Sequence, residues 1–195
     1  MGQSNGEMAW EMVSGKELKS VKIGIIVSAI LSVVAIIAQL ITKNYLLYIL
    51  SVLLVSDTVI MGVLTGLLLK DKRDFLFCEE LSTYSDEIIN NTVLGYSGLC
   101  ITKRYIFKAM QLSKPIDLKQ VEWVYRKKVT SNQNSSDNTI LCMRNGKKKS
   151  ISNGIAITDN DFIYKLVKYN NERALIGWSA ANLKKYKEIV ASENI

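Results

Sequence analysis

The sequence contains no histidine among its 195 residues. Without an imidazole the chain cannot build a Ser-His-Asp or Cys-His catalytic arrangement, an HExxH zinc site or a histidine-based pH switch. It also lacks a Walker A motif, a GxGxxG loop and any cluster with metal-ligand spacing. These absences argue against an enzyme, and no cofactor or metal is expected.

Proline and cysteine are both scarce. One proline, Pro115, and 11 glycines argue against a disordered or collagen-like chain. The three cysteines, Cys78, Cys100 and Cys142, show no CxxC spacing, and their odd number does not fit a disulfide framework. This pattern favours a reducing compartment.

Charge is nearly missing from two adjacent stretches near the N-terminus. Residues 23–42 carry no charged side chain, and as a helix they would span about 30 Å, the thickness of a bilayer's hydrocarbon core. Residues 45–69 contain a single charge, on Asp57. Two such runs are rare in soluble folds, and the first is too long for a cleaved signal peptide. The sequence therefore predicts a retained transmembrane hairpin over residues 23–69.

The lysines and arginines around the hairpin predict its orientation. One positive charge, Lys43, lies in the connecting turn, whereas six flank the outer ends: Lys16, Lys19, Lys22, Lys70, Lys72 and Arg73. By the positive-inside rule, both chain ends then lie in the cytoplasm. We expect a cell-membrane protein with two spans, a cytoplasmic N-terminal segment at 1–22 and a cytoplasmic C-terminal region.

Asp57 is the charged residue inside the predicted hairpin. If the turn centres between the two spans, Asp57 lies level with the first helix near Ser28 and Ser32, whose hydroxyls could hydrogen-bond its carboxyl. One interpretation is a proton or ion relay. The favoured one is a carboxyl that ties the helices together, because a lone acid without Lys, Arg or His partners makes a poor pathway.

Small residues form stripes at helical spacing in both spans. Gly62 and Gly66 form a GxxxG pair in the second span, and Gly24 begins a Gly-Ser-Ser stripe through Ser28 and Ser32 in the first. Such stripes permit close helix packing, either within the hairpin or between protomers. If the stripes pack between protomers, the protein is a homo-oligomer.

Beyond the hairpin the composition becomes polar. Residues 70–91 form a connecting segment, in which acidic and apolar residues alternate and helix is one option. Period-two patterning predicts strands at 99–107, 121–126, 139–143 and 147–151, with a hairpin turn at Asn145-Gly146 and a polar loop at 130–138. Helix signals start at 159 and after Ser179. The predicted class is α+β.

These elements resemble a known family. A strand with Ile101-Thr102-Lys103-Arg104-Tyr105-Ile106-Phe107, a second strand at Ile116–Val121, the Asn145-Gly146 hairpin and a helix at 160–169 resemble bacterial pleckstrin-homology-like domains over about residues 92–170. The resemblance implies an antiparallel sheet or barrel followed by helices, placed behind paired transmembrane helices and without catalytic residues. The long loop at 130–138 and the second helix after Gly177-Trp178 depart from that pattern. Residues 92–195 are thus expected to form a pleckstrin-homology-like domain with a C-terminal helical extension.

Two basic triplets flank the predicted sheet: Arg126, Lys127 and Lys128, and Lys147, Lys148 and Lys149. Residues 73–195 carry 19 Lys and Arg against 13 Asp and Glu. The triplets fit a patch for the anionic inner leaflet or an acidic partner, and equally a solvated sheet edge whose lysines discourage aggregation. Nucleic acid is not expected, because basic and aromatic residues are not interleaved.

Together these patterns predict a non-enzymatic integral membrane protein that tethers a basic binding or scaffold domain at the cytoplasmic membrane face. Its expected partners are anionic inner-leaflet lipids, another membrane or cytoplasmic protein, or a second copy of itself. The alternative is a small oligomeric membrane protein with a transport or relay role through Asp57.

Overall fold

The computed structural model of the chain describes residues 2–96, 98–131, 134–152 and 160–193. The chain divides into two compact units. The first comprises residues 1–102 and 107–115, and the second comprises residues 103–106 and 116–195. Strands at 92–102, which the sequence assigned to the C-terminal domain, fall in the first unit.

Two long helices dominate the first unit. Helix α1 (Gly2–Trp10), a π-helical turn (Glu11–Gly15) and helix α2 (Lys16–Thr42) follow one another without a break, and helix α3 (Tyr45–Leu76) packs against α2. Both are long and apolar enough to cross a membrane. A core helix of a soluble protein would be mostly buried. In the most apolar 18-residue stretch of each helix, by contrast, only 17% (first helix) and 6% (second helix) is buried.

The turn between α2 and α3 lies where the sequence predicts it. Lys43 adopts the left-handed conformation (φ 52°) and donates its backbone N–H to the Gln39 carbonyl at 2.8 Å, which ends α2. The Asn44 side chain accepts the Leu46 N–H at 2.9 Å and so caps α3. The predicted helix ends at 42 and 45 are confirmed, but α3 continues to Leu76, because the Lys-rich stretch after 69 also favours helix.

The rest of the first unit packs around the N-terminal helix. Helix α1 contacts helix α4 (Leu81–Asn91), and Trp10 and Ile88 are fully buried. Strands β1 (Thr92–Tyr96) and β2 (Leu99–Thr102) then pair antiparallel. The residues between 107 and 115 are held by Asp71, whose carboxylate accepts the backbone N–H groups of Met110 at 3.1 Å and Leu112 at 3.0 Å.

The second unit is α+β, as predicted. Its larger sheet has the order β7-β6-β5-β8; β8 runs parallel to β5 and the other neighbours are antiparallel. The described strands form open sheets and not a closed barrel. The elements are β3 (Tyr105–Lys108, whose first two residues belong to this unit), β4 (Ile116–Asp117), a 3₁₀ turn (Leu118–Gln120), β5 (Val121–Ser131), β6 (Asn134–Met143), β7 (Lys148–Ser152), α5 (Asn160–Asn170), β8 (Leu175–Ile176) and α6 (Ala180–Glu193).

Three predicted elements are wrong in detail. The strand expected over 99–107 is interrupted at Lys103-Arg104. The loop expected at 130–138 is largely strand, because the β5–β6 ladder continues to the pair Ser131 and Asn134 and cross-strand pairing overrides the polar composition. The segment 116–121 is not one strand, because Asp117 accepts the Lys119 N–H at 3.0 Å and starts the 3₁₀ turn.

Other predictions for this unit are confirmed. Gly146 takes φ 79° in the turn between β6 and β7, as the Asn145-Gly146 pair indicates. Helices α5 and α6 occupy the predicted positions, although Asp159, the expected start of α5, lies outside the described residues.

Helices pack against β5 of the larger sheet, and its core is aromatic on one face. Trp123 and Tyr125 of β5 point to the same face, where they form a buried cluster with Cys142 and with Tyr186 of α6. Val124 points to the opposite face and is also fully buried. The sheet is therefore well packed up to Tyr125, and the basic residues follow directly after it.

Candidate functional site

The first basic triplet continues β5 beyond its buried part. Arg126, Lys127 and Lys128 pair with residues 139, 138 and 137 of β6. All three side chains are exposed. Because side chains alternate along a strand, Lys127 shares the face of Tyr125, and its two neighbours point to the other face. We call these three residues the β5 cluster.

The second triplet lies at the start of β7. Lys148 pairs with Cys142 and Lys149 with Leu141, and all three lysines including Lys147 are exposed. We call them the β7 cluster. Strand β6 lies between the two clusters, so they are about 10 Å apart across the sheet, and they are also offset along it. The six residues form two clusters and not one continuous patch.

Arginines and lysines of the second unit differ in their partners. Arg126 forms an ion pair with Asp137, Arg104 with Asp117 at 3.1 Å, and Arg144 with Glu122 at 2.6 Å. Among the described residues, no lysine of either cluster forms an ion pair with an acidic side chain. The charge of these lysines is therefore available to a partner.

A groove lies beside the β5 cluster. Tyr125, the three residues of the β5 cluster and Trp178 line an open depression of about 350 Å³. Trp178 is 60% exposed and stacks on Trp123. In the sequence, Gly177-Trp178 stood out only as a departure from a family pattern. The missed signal was a tryptophan that follows a glycine directly after the short apolar run at 174–176.

The polar residues inside the hairpin are brought together as the sequence suggests, with one difference. The Ser28 hydroxyl donates a hydrogen bond to the Asp57 carboxylate across the hairpin. Ser32 instead donates to the Ser28 carbonyl at 2.7 Å. Both serines are buried. Asp57 is thus linked to the other helix by one side-chain hydrogen bond.

The glycines of the two spans have different surroundings. A side chain added at Gly24 would lie 3.6 Å from the Met61 Cε atom, so Gly24 belongs to the contact between α2 and α3. A side chain added at Gly62 or Gly66 would meet no described atom within 4 Å. The GxxxG pair is therefore not used within the hairpin.

The cysteines are free thiols with weak acidity. Burial raises the pKa of Cys142 to about 11, and it also raises the pKa of Cys100 and of Cys78. A protonated thiol is a poor nucleophile and metal ligand. Within the described part of the chain, no group of three or more acidic or cysteine side chains is placed to hold a metal ion.

Comparisons with protein-family models, curated proteins and solved structures find no match to this chain. The resemblance to bacterial pleckstrin-homology-like domains therefore stays a prediction.

Proposed function

We propose that this chain is an integral membrane protein whose helical hairpin tethers a basic binding module, the second unit, to the cytoplasmic face of the membrane. The lysines of that unit bind the anionic lipids of the inner leaflet. The hairpin supplies the anchor, and the second unit supplies recognition.

The distribution of charge between the two units carries this proposal. The second unit has sixteen Lys and Arg against eight Asp and Glu, whereas the first has nine against ten. The second unit thus carries +8 and the first −1, which together give the net charge of +7. A lysine close to an anionic bilayer contributes about 1 kcal/mol of attraction. Several unpaired lysines together are sufficient for useful membrane affinity.

The spacing of the clusters favours a lipid surface over a small ligand. The β5 and β7 clusters are separated by a strand, and neither has the convergent geometry that would enclose one anion. A bilayer offers anionic groups over a wide area, so separated lysines can be attracted to it as point charges.

The surface of α2 and α3 supports the membrane anchor. Twenty-four exposed large apolar side chains lie between Ile23 and Leu69. An uncovered apolar surface of this extent is unfavourable in water and favourable in hydrocarbon. The positive charges at the outer ends of the hairpin support the proposed cytoplasmic position of both termini, by the positive-inside rule.

Lysine footprinting tests the proposed lipid contact. The full chain is reconstituted in nanodiscs of phosphatidylcholine alone or with 30% phosphatidylglycerol, and lysine acylation is followed by mass spectrometry. From about 1 kcal/mol per lysine, we expect about fivefold slower acylation of at least one cluster in anionic discs. Raising the salt to 0.5 M should abolish the difference, because screening shortens the Debye length to about 4 Å.

Charge reversal supplies the matched control. A variant with Lys128, Lys147 and Lys149 changed to Glu should lose most of the lipid-dependent protection at Lys127 and Lys148, the cluster lysines that remain to be acylated. Changing Lys184, Lys185 and Lys187 on α6 to Glu also alters the charge of exposed lysines of this unit but should preserve protection of the two clusters. Equal acylation in both lipid mixtures at every lysine would contradict the proposal.

Introduced cysteines test the orientation. Cys100 and Cys142 are buried, so slow labelling of these two thiols would reflect their burial and would not show on which side of the membrane they lie. A cysteine replacing Lys43 should react with an impermeant maleimide on intact cells, and one replacing Lys184 only after permeabilisation. The opposite pattern would place the second unit outside the cytoplasm and exclude the inner leaflet as its ligand.

A second candidate function is an oligomeric relay through Asp57. The outward-facing Gly62 and Gly66 favour the formation of an oligomer, because they leave α3 free to pack closely on a helix of another protomer. The hydrogen bond from Ser28 favours a structural role for Asp57. Replacing Asp57 by Leu tests the relay directly, as described below.

A further inference from the structure

Trp178 stands out on the surface of the second unit. Among the described residues of this unit, only two large apolar side chains are strongly exposed, Trp178 at 60% and Tyr169 at 77%. Trp178 is moreover a lining residue of the groove beside the β5 cluster. An exposed tryptophan beside lysines combines an apolar surface with positive charge.

The ring of Trp178 is held in place from two directions. Gly177, at φ 76°, donates its N–H to the Val124 carbonyl at 2.8 Å and accepts the Trp123 indole N–H at 2.8 Å. The Trp178 ring stacks on Trp123 at 5.2 Å between centroids and meets Tyr125 edge-on at 5.0 Å. The exposed orientation is therefore preorganised, and binding would lose little conformational entropy.

The lysines beside Trp178 give the groove a positive charge. Strand β8 pairs with β5 only at Trp123 and Val124, so the following residues of β5 border the groove. Lys127 and Lys128 are exposed and form no ion pair with a described acidic side chain. Arg126 contributes less, because Asp137 partly neutralises it. The groove thus presents one fixed indole and the available ammonium group of Lys127, and Lys128 borders the groove from the opposite face of the strand.

We propose that this groove is the lipid-contact site of the second unit: Trp178 inserts among the headgroups of an anionic bilayer, Lys127 binds a lipid phosphate beside it, and Lys128 at the rim adds to the attraction. Tryptophan prefers the membrane interface, where its ring is in an apolar layer and its N–H is hydrated. The positive charge of the lysines is complementary to the negative charge of the bilayer. In the proposed function, the hairpin also keeps the second unit close to a bilayer. This inference rests on the proposed function and assigns the contact to the β5 cluster, not to the β7 cluster.

Fluorescence quenching by brominated lipids tests the insertion. The full chain is placed in nanodiscs with 30% phosphatidylglycerol and with phosphatidylcholine brominated either at carbons 6 and 7 or at carbons 11 and 12. We expect quenching that is stronger with the shallow bromines and that disappears in a Trp178→Phe variant. Subtracting the signal of that variant removes the contribution of Trp10 and Trp123.

Lysine footprinting of matched variants tests the assignment. Trp178→Ala should reduce the protection of Lys127 and Lys128 in anionic discs by about threefold. Tyr169→Ala, which removes the other exposed aromatic side chain, should leave the protection unchanged. Amide exchange of β5 and β6 checks that both variants stay folded, and Trp178→Phe keeps an aromatic ring in place if Trp178→Ala does not.

The outcomes separate this inference from the function on which it rests. Protection confined to the β7 cluster, with Trp178 unquenched, would overturn the inference and leave the proposed function standing. No protection at either cluster would overturn both. Trp178 quenching by oligothymidine or by an oligoglutamate peptide, without any response to brominated anionic discs, would replace the bilayer by a different ligand and also overturn the inference.

Discussion

The two units of this chain have opposite surfaces. The first unit exposes a long run of apolar side chains on α2 and α3 and is nearly neutral overall, whereas the second has twice as many basic as acidic residues and two strongly exposed large apolar side chains among its described residues. The comparison shows that each unit is suited to a different solvent. The exposed apolar surface of α2 and α3 is suited to hydrocarbon, and the charged surface of the second unit is suited to a polar solvent.

Buried polar groups also differ between the units. In the first unit, the buried carboxylate of Asp71 is bound by the backbone N–H groups of Met110 and Leu112, and the half-buried carboxylate of Asp57 by the Ser28 hydroxyl. In the second unit, carboxylates are bound by arginines, as in the pair of Glu122 and Arg144. Acidic residues there neutralise arginine, and the lysines keep their charge.

The largest change in stability is expected in the aromatic core of the second unit, and it tests whether the two units unfold independently. Trp123→Ala removes a fully buried indole that contacts Tyr125, Trp178 and Tyr186. We expect a loss of about 3–5 kcal/mol in the free energy of unfolding of this unit. Amide exchange of β5 and β6, measured by mass spectrometry in nanodiscs, reports the loss, and α2 and α3 should remain protected.

Trp178→Ala is the matched control for that variant, since it removes the same side chain from an exposed position. It should cost well under half as much stability, because most of the indole is already in contact with solvent. Equal destabilisation by the two substitutions would show that Trp178 is a structural residue, and the contrast between buried core and exposed surface would fail.

A smaller, local effect is expected at Asp71 in the first unit. Asp71→Ala removes the acceptor for two backbone N–H groups, and an unsatisfied buried donor costs about 1–3 kcal/mol. Amides of residues 107–115 should therefore exchange about tenfold faster or more. Asp74→Ala is the control, because Asp74 is exposed and its closest cation, Arg73, is 3.9 Å away. Unchanged exchange in Asp71→Ala would show that other contacts hold this segment.

The smallest effect is expected inside the hairpin. Asp57→Leu removes the hydrogen bond from Ser28, and side-chain hydrogen bonds in membrane helices contribute about 0.6–1.7 kcal/mol. Asp57→Asn keeps an acceptor and should retain most of that stability, as measured by steric trapping of the hairpin. Ion or proton flux in proteoliposomes that is present in the native chain and lost in Asp57→Leu would contradict a structural role and favour the relay.

The hairpin was the part of the fold most fully determined by sequence pattern. Charge-free length and the Lys43-Asn44 turn are local properties, so the helix ends near 42 and 45 follow from them. The turn at Asn145-Gly146 and helix α6 after Ser179 are likewise encoded by a few neighbouring residues. The Ser28–Asp57 contact followed from the symmetry of a hairpin about its turn.

Other features depend on partners that are distant in sequence. Strand β8 exists because Leu175 and Ile176 pair with Trp123 and Val124, about 50 residues earlier, and no local pattern announces it. The polar residues 134–138 become the start of β6 because they pair with residues 127–131 of β5. For the same reason, the sequence pattern predicted that both basic triplets flank one sheet but not that they form two separate clusters. The position of Trp178 beside Lys127 was not predicted either.

The π-helical turn at Glu11–Gly15 accommodates one extra residue between α1 and α2. A π turn holds one residue more than an α turn, and each α-helical residue advances the helix by about 100°. The wider turn therefore absorbs its extra residue, and the side of α1 that buries Ala9 and Trp10 keeps the direction that an uninterrupted α-helix would give it. Deleting one residue within this turn would restore regular α geometry and leave Trp10 facing the same neighbours, whereas deleting one residue from the regular part of α2 next to the turn would rotate Trp10 by about 100°.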